Sequence, residues 1–223
     1  VIAVVMLLLL SACNIPIPEI FYNLTLMIQP VDGGVINGGA EGEYQEGDIV
    51  NLEAVANVGF EFAEWLIGGE LFSEDQFIQY EMPAHDVTLT ANFTIKTYEI
   101  TAEADPAEGG AVAGAATYAH GDAVVLTTTP AEGYNFVNWT KGGVEVSTEA
   151  VYEFTAEAAG HYVANFELKT YEITTEAAPA VGGDTDGDAT YTHGDAVVLT
   201  ATPAAGYNFV NWTKGGVEVS TEA

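Results

Sequence analysis

The chain has 223 residues, with 33 Asp plus Glu against four Lys, no Arg and a formal charge of −29 at pH 7, yet 48% of it is hydrophobic and 11% aromatic. The apolar share excludes a disordered acidic tail, and the negative charge repels phosphate backbones, so no nucleic acid is expected as a partner. An acidic skin over folded matter suits solubility, saline surroundings or divalent cations.

Val1 to Leu10 is an uninterrupted apolar run. It is too short for a bilayer span of roughly 20 residues and has the size of a signal-peptide hydrophobic region. It ends in Leu10-Ser11-Ala12-Cys13, which resembles the lipobox of bacterial lipoproteins, where cleavage precedes a Cys that is then acylated. The resemblance implies that residues 1–12 are a lipoprotein signal peptide without its basic n-region and initiating Met, and that Cys13 is the lipidation site. The membrane then becomes a partner through that lipid anchor. Cys13 is the only cysteine, so an internal disulfide cannot form. Pro16 and Pro18 favour extended backbone, which makes residues 13–21 a short stiff tether. Asn14 stands where an Asp would signal inner-membrane retention, so the same resemblance points to the outer membrane or cell surface.

From Tyr22 onward one pattern is written three times. Trp65, Trp139 and Trp212 are spaced 74 and then 73 residues apart. Tyr22, Tyr98 and Tyr171 each precede by twelve residues the second glycine of Gly33-Gly34, Gly109-Gly110 and Gly182-Gly183. Gly47-Asp48, Gly121-Asp122 and Gly194-Asp195 follow, and Gly59, Gly133 and Gly206 lie twelve residues after the glycine of each Gly-Asp pair. The first copy carries two extra residues between Ile36 and Tyr44. A fixed period of this kind means tandem modules, here repeat 1 over 22–96, repeat 2 over 97–169 and repeat 3 over 170–223. Repeat 3 stops at the equivalent of Ala150 and is read as a truncated copy. Four residues between each closing Phe and the next Tyr imply short links and a semi-extended rod.

Within the modules the periodicity is that of strands. Tyr98, Ile100 and Ala102 alternate with Glu99, Thr101 and Glu103, and His161 to Glu167 alternates through Tyr162, Ala164 and Phe166. Leu52 to Ala56 and Ala123 to Thr129 read as further strands. No segment carries a capped helical pattern. The expected fold is therefore all-β or β-rich, in modules of about 73 residues with five or so short strands each. Between Phe136 and Trp139 the alternation slips by one, so either a bulge intervenes or the Trp faces away from the Phe.

A module of this size has a stability on the order of 4 to 10 kcal/mol, which makes each large aromatic important to its core. Phe62, Trp65, Phe93, Tyr98, Phe136, Trp139, Phe166, Phe209 and Trp212 are accordingly expected in the core. The alternative is an exposed aromatic platform that stacks on sugar rings.

The run Tyr80-Glu81-Met82-Pro83-Ala84-His85-Asp86-Val87-Thr88-Leu89-Thr90-Ala91-Asn92-Phe93, taken with Gly-Asp, Gly-Phe-x-Phe-x-x-Trp and the Gly-Gly turn, resembles the divergent internalin-B-type B-repeat, or bacterial repeat domain. The resemblance spans about Tyr22 to Ala223, with Ala156-Glu157 replacing Met-Pro in the second copy. It implies a small β-rich module, related in one reading to the β-grasp, strung along bacterial surface proteins as spacer or adhesive units. It implies no catalytic residues.

Sites of chemistry are sparse. His120 and His193 repeat beside Gly-Asp while the first copy has Glu46 there, which fits solvated turn residues. Beyond Cys13 the only serines are Ser73, Ser147 and Ser220, none in a nucleophile elbow. Asp184, Asp186 and Asp188 form a weak calcium candidate, because hard cations want clustered carboxylates, although the Gly is misplaced for an EF-hand. The sequence thus reads as a non-catalytic surface lipoprotein whose repeats act as a stalk or adhesive spacer toward an unknown surface protein or glycan. The alternative is a glycan-binding array attached to an enzyme domain downstream.

Overall fold

The structure, a computed structural model, describes residues 19–223, so the signal segment and Cys13 lie outside the described residues. Apart from two 3-10 turns, Ala107–Gly109 and Ala180–Gly182, the regular structure of the described chain is β, and it divides into two compact units, one ending at Lys96 and one beginning at Thr97.

Repeat 1 contains eight strands: β1 (Tyr22–Gln29), β2 (Gly34–Gly38), β3 (Gly42–Tyr44), β4 (Ile49–Ala56), β5 (Phe60–Ile67), β6 (Glu70–Ser73), β7 (Phe77–Glu81) and β8 (Val87–Ile95). They form a five-stranded sheet in the order β3-β1-β8-β5-β6 and a three-stranded sheet β2-β4-β7. The first and last strands are parallel, Leu24 beside Val87 through Gln29 beside Asn92, whereas β5 runs antiparallel to β8. Parallel neighbours require a long crossover connection. Here that crossover contains the smaller sheet, and its inner residues Val50, Leu52 and Ala54 share one core with Leu24, Trp65, Leu89, Ala91 and Phe93.

Repeat 2 repeats this build with β9 (Thr97–Asp105), β10 (Gly110–Ala113), β11 (Ala116–Ala119), β12 (Ala123–Pro130), β13 (Tyr134–Lys141), β14 (Val144–Ser147), β15 (Val151–Thr155) and β16 (Gly160–Leu168). Its sheets are β11-β9-β16-β13-β14 and β10-β12-β15. The alternation predicted for Tyr98 to Ala104 is that of β9, with Ile100 buried and Glu99 and Glu103 exposed. Eight strands replace the five expected because Gly-rich turns separate strands as short as three residues, too short for period-two patterning to register. The parallel central pair is shared with a β-grasp, but no α-helix occurs among the described residues and a small sheet takes its place. The four-residue links contract to single residues, Lys96 and Lys169, because the flanking strands absorb the rest.

The slip between Phe and Trp is a bulge. In β13 the register to β16 shifts between Phe136 and Asn138, leaving Val137 unmatched, and in β5 the same shift leaves Ala63 unmatched. The extra residue turns Phe136 and Trp139 to the same face, with ring centroids 6.0 Å apart. Trp65 and Trp139 are then fully buried, each directly across from a small residue on the closing strand, Ala91 and Ala164. An indole fits over the sheet there only because its cross-strand neighbour ends at Cβ.

Repeat 3 is ordered as two-stranded pieces: β17 (Thr170–Ile173) with β19 (Ala189–Thr192), β18 (Gly183–Asp186) with β20 (Thr200–Pro203), and β21 (Trp212–Lys214) with β22 (Val217–Ser220). The sequence in hand supplies no counterpart of β15 and β16, so Phe209 and Trp212, expected in a core, are only half-buried. A groove of about 260 Å³ bordered by Pro179, Gly183, Phe209 and Trp212 occupies the place where β16 closes repeat 2.

The bulge yields a direct test. Deleting Val137 restores strict alternation and swings Trp139 to the outer face. Exposing a buried Trp forfeits roughly 3 to 5 kcal/mol, so repeat 2 should lose its calorimetric transition while repeat 1 melts unchanged. An unaltered repeat 2 transition would show that Trp139 is not positioned by the bulge.

Candidate functional site

The recurrent residues are best placed by what each touches. The Gly-Gly turn is held by a single turn of chain in which the third residue after a Pro closes back: Gly33 N–H donates to Pro30 O and Gly109 N–H to Pro106 O, both at 2.8 Å. This brings the turn under the closing Phe. A Cβ on Gly33 would stand 2.8 Å from Phe93 Cβ, and Cβ atoms on Gly109 and Gly110 would stand 2.7 and 2.5 Å from Phe166 atoms. The glycines are therefore set by close approach of a ring. In repeat 3 no Phe covers Gly182, whose nearest neighbours are Pro179 and Tyr207 at 3.5 Å.

The aromatic set expected in the core is distributed in three ways. Trp65, Trp139, Phe93 and Phe166 are buried; Phe62, Tyr98 and Phe136 pack partly buried against them; Phe209 and Trp212 do not join either core cluster. Phe62 meets Phe93 edge-on at 5.7 Å and Phe136 meets Phe166 at 5.8 Å, a favourable quadrupole geometry. With both Trp side chains of the two complete repeats at 0% exposure, a sugar platform built on them is excluded there. Their indole Nε1 atoms are buried without a hydrogen-bond partner, whereas Trp212 Nε1 donates to Glu222 O at 3.1 Å.

The acidic residues near turns act on the backbone. Asp48, Asp122 and Asp195 accept from the amides of Gln45, Ala119 and Thr192 at 2.8, 2.9 and 2.7 Å. At Asp195 the Thr192 hydroxyl donates as well, and these two bonds hold its carboxyl below the usual carboxylate range. Gly-Asp also closes the module: Gly47 N–H donates to Met82 O and Met82 N–H to Asp48 O. Gly121, Ala156 and Asp122 make the same pair, so replacing Met-Pro by Ala156-Glu157 leaves this link intact.

The three carboxylates of the calcium candidate are not gathered into one cluster. No three His, Cys, Asp or Glu residues among the described residues come together to hold a metal ion. Asp184 and Asp186 are exposed along β18, while Asp188 is engaged elsewhere, accepting from Thr175 N–H at 2.9 Å and from its hydroxyl. Glu41 does the same in repeat 1, accepting from Leu26 N–H at 2.9 Å, so this carboxylate pins the edge of the first strand. Sequence reasoning missed that role, although the copies align Glu41 with Asp188 once Gly39 and Ala40 are taken as the extra residues.

The histidines do not converge. His161 Nε2 lies 3.2 Å from Glu103 and its Nδ1 2.9 Å from Thr101, all on the outer face of the larger sheet. His120 packs against Tyr98 with centroids 6.0 Å apart, half-buried where a solvated turn residue was expected. His193 is exposed toward solvent yet lies against Gly133 of the preceding repeat. Burial raises the Tyr80 and Tyr152 hydroxyls above their ordinary range, with Tyr162 adding to the effect at Tyr152. No helix among the described residues is long and apolar enough to cross a membrane.

Two similar β modules and a third copy of their sequence pattern, joined in series, define a tandem repeat protein of the kind typical of bacterial surfaces. The chain belongs to the divergent InlB B-repeat family, whose domain model matches residues 24–97, 100–170 and 173–223. Among solved structures it is similar to the Bacillus anthracis TIE protein, at 12% identity over 82% of this chain and 41% of that one, with a TM-score of 0.37. The chain thus spans less than half the length of that protein, and a likeness of this size carries no functional argument. No curated protein matches it.

Titration calorimetry checks the metal correction. Calcium should give no heat beyond dilution, and Asp188→Ala should speed hydrogen exchange of the Thr175 amide. A saturable calcium heat lost in Asp188→Ala would restore the cation site.

Proposed function

We propose that the protein is a non-catalytic bacterial envelope lipoprotein whose repeats form a stalk or adhesive spacer, tethered to the membrane through Cys13. The observation that carries this reading is the serial use of one closed β module in which the recurrent aromatics fill cores and the recurrent acids hold turns. Residues that recur for packing leave spacing and presentation as what a string of modules adds. The acidic surface supports it, since 33 acids against four Lys keep neighbouring stalks and anionic headgroups apart. The lipobox-like Leu10-Ser11-Ala12-Cys13 supports the anchor, and outer membrane or cell surface is the proposed address. Contacts at the far end fall to a surface protein or a glycan. A glycan platform on the Trp side chains is not retained, because both are enclosed in complete repeats.

The test is metabolic labelling with a palmitate analogue in cells making the chain with an epitope after Ala223. Label should enter the wild type and vanish in Cys13→Ala, and the epitope should be reached by antibody on intact cells. An unlabelled wild type, or label surviving Cys13→Ala, would sink the anchor; an epitope reached only after lysis would sink the stalk.

A further inference from the structure

Repeats 2 and 3 belong to one compact unit, and a single residue, Lys169, separates β16 from β17. A one-residue connection can still be a hinge, because two backbone dihedrals suffice to swing a small module. The contacts around Lys169 remove that freedom. Its N–H donates to Gly133 O, in the turn before β13 of repeat 2, at 2.7 Å. Its carbonyl accepts from His193 N–H, in the turn after β19 of repeat 3, at 2.8 Å. The backbone of one residue is therefore bonded to both modules, and the two residues it joins also touch. A Cβ built on Gly133 would overlap the His193 ring, with Cδ2, Cγ and Nε2 as its three nearest atoms.

Gly133 has φ +82°, so its left-handed backbone alone favours glycine. That requirement is met equally well by glycines that face open space, such as Gly121 and Gly206, which have nothing within 4 Å. Gly133 differs in carrying an imidazole against its bare Cα. His193 is steadied from its own side by Tyr171, whose hydroxyl lies 3.5 Å from Nδ1. Part of the same arrangement occurs within repeat 1, where Lys96 N–H donates to Gly59 O at 2.8 Å.

We propose that the junction between repeats 2 and 3 is a fixed joint in which the His193 ring seats on the side-chain-free Gly133 while Lys169 is bonded to both, so that the missing Cβ at residue 133 sets the orientation of one repeat on the next. The Gly, the linking Lys and the His of the following Gly-Asp turn form one inter-module contact, which gives His193 a role other than a site of chemistry. This stands apart from the envelope reading, because it concerns two modules in solution and does not involve Cys13.

Pulsed electron paramagnetic resonance tests it in the full chain with Cys13→Ser and spin labels at Glu153→Cys in repeat 2 and Thr190→Cys in repeat 3. The parent should give one narrow distance distribution. His193→Ala should broaden or split it, and so should Gly133→Asn, because Asn tolerates a left-handed backbone and yet places a Cβ in the seat of the ring. Adding Gly133→Asn to His193→Ala should broaden it no further, as expected for two partners in one contact. A broad distribution in the parent, or a narrow one retained in His193→Ala, would overturn the joint. The calorimetric transition of repeat 2 should persist in His193→Ala, which separates loosening of the joint from unfolding of the module.

Discussion

Each complete repeat depends on its closing strand. β8 and β16 lie at the centre of the larger sheet, parallel to the first strand and antiparallel to the strand that carries the Trp. One residue of that strand, Ala91 or Ala164, lies across from the indole; two residues on, Phe93 or Phe166 covers the Gly-Gly turn. The alternation Ala-x-Phe thus couples three features that are far apart in sequence. Burial of one large aromatic stabilises by roughly 3 to 5 kcal/mol as judged by truncation. That is a large share of what a module of this length can have, so the closing strand decides whether it folds as one unit. Among the described residues of repeat 3 no such strand occurs, and there the Trp is half-buried with a groove beside it.

Much of this was legible in the sequence because it rests on local patterning. Alternation marked β9 and β16, and the period of the Trp residues marked the modules. The positions of the glycines were equally plain, but their cause was not: Gly109 and Gly110 answer to Phe166, more than fifty residues away. The slip at Val137 left two readings open, and only the register to β16 distinguishes a bulge from an outward Trp. Phe209 and Trp212 were misplaced because identical local sequence was taken to imply an identical environment, whereas burial also requires the partner strand. Asp188 was misread for a related reason. Carboxylates close in sequence suggested a cation, but one of them is already engaged by the backbone amide of Thr175, just past the end of β17.

The same economy of parts governs the surface. Acids that recur at turns cap backbone amides, aromatics that recur fill cores, and His193 meets the glycine of the module before it. Membership of the divergent InlB B-repeat family accords with modules used for extension and presentation. A fixed joint would bear on that use, because the reach of a string of modules depends on whether their orientation is retained from one to the next.

The central claim is that the closing strand holds the core by presenting a small residue to the Trp. Ala164→Leu compared with Val163→Leu, its neighbour on the opposite face of β16, tests it most directly by calorimetry of the full chain. A larger side chain forced against the indole should destabilise repeat 2 by about 1 to 3 kcal/mol, the usual cost of overpacking, while Val163→Leu changes little and repeat 1 melts as before. Equal stability of the two variants, or a repeat 2 made more stable by Ala164→Leu, would contradict the account.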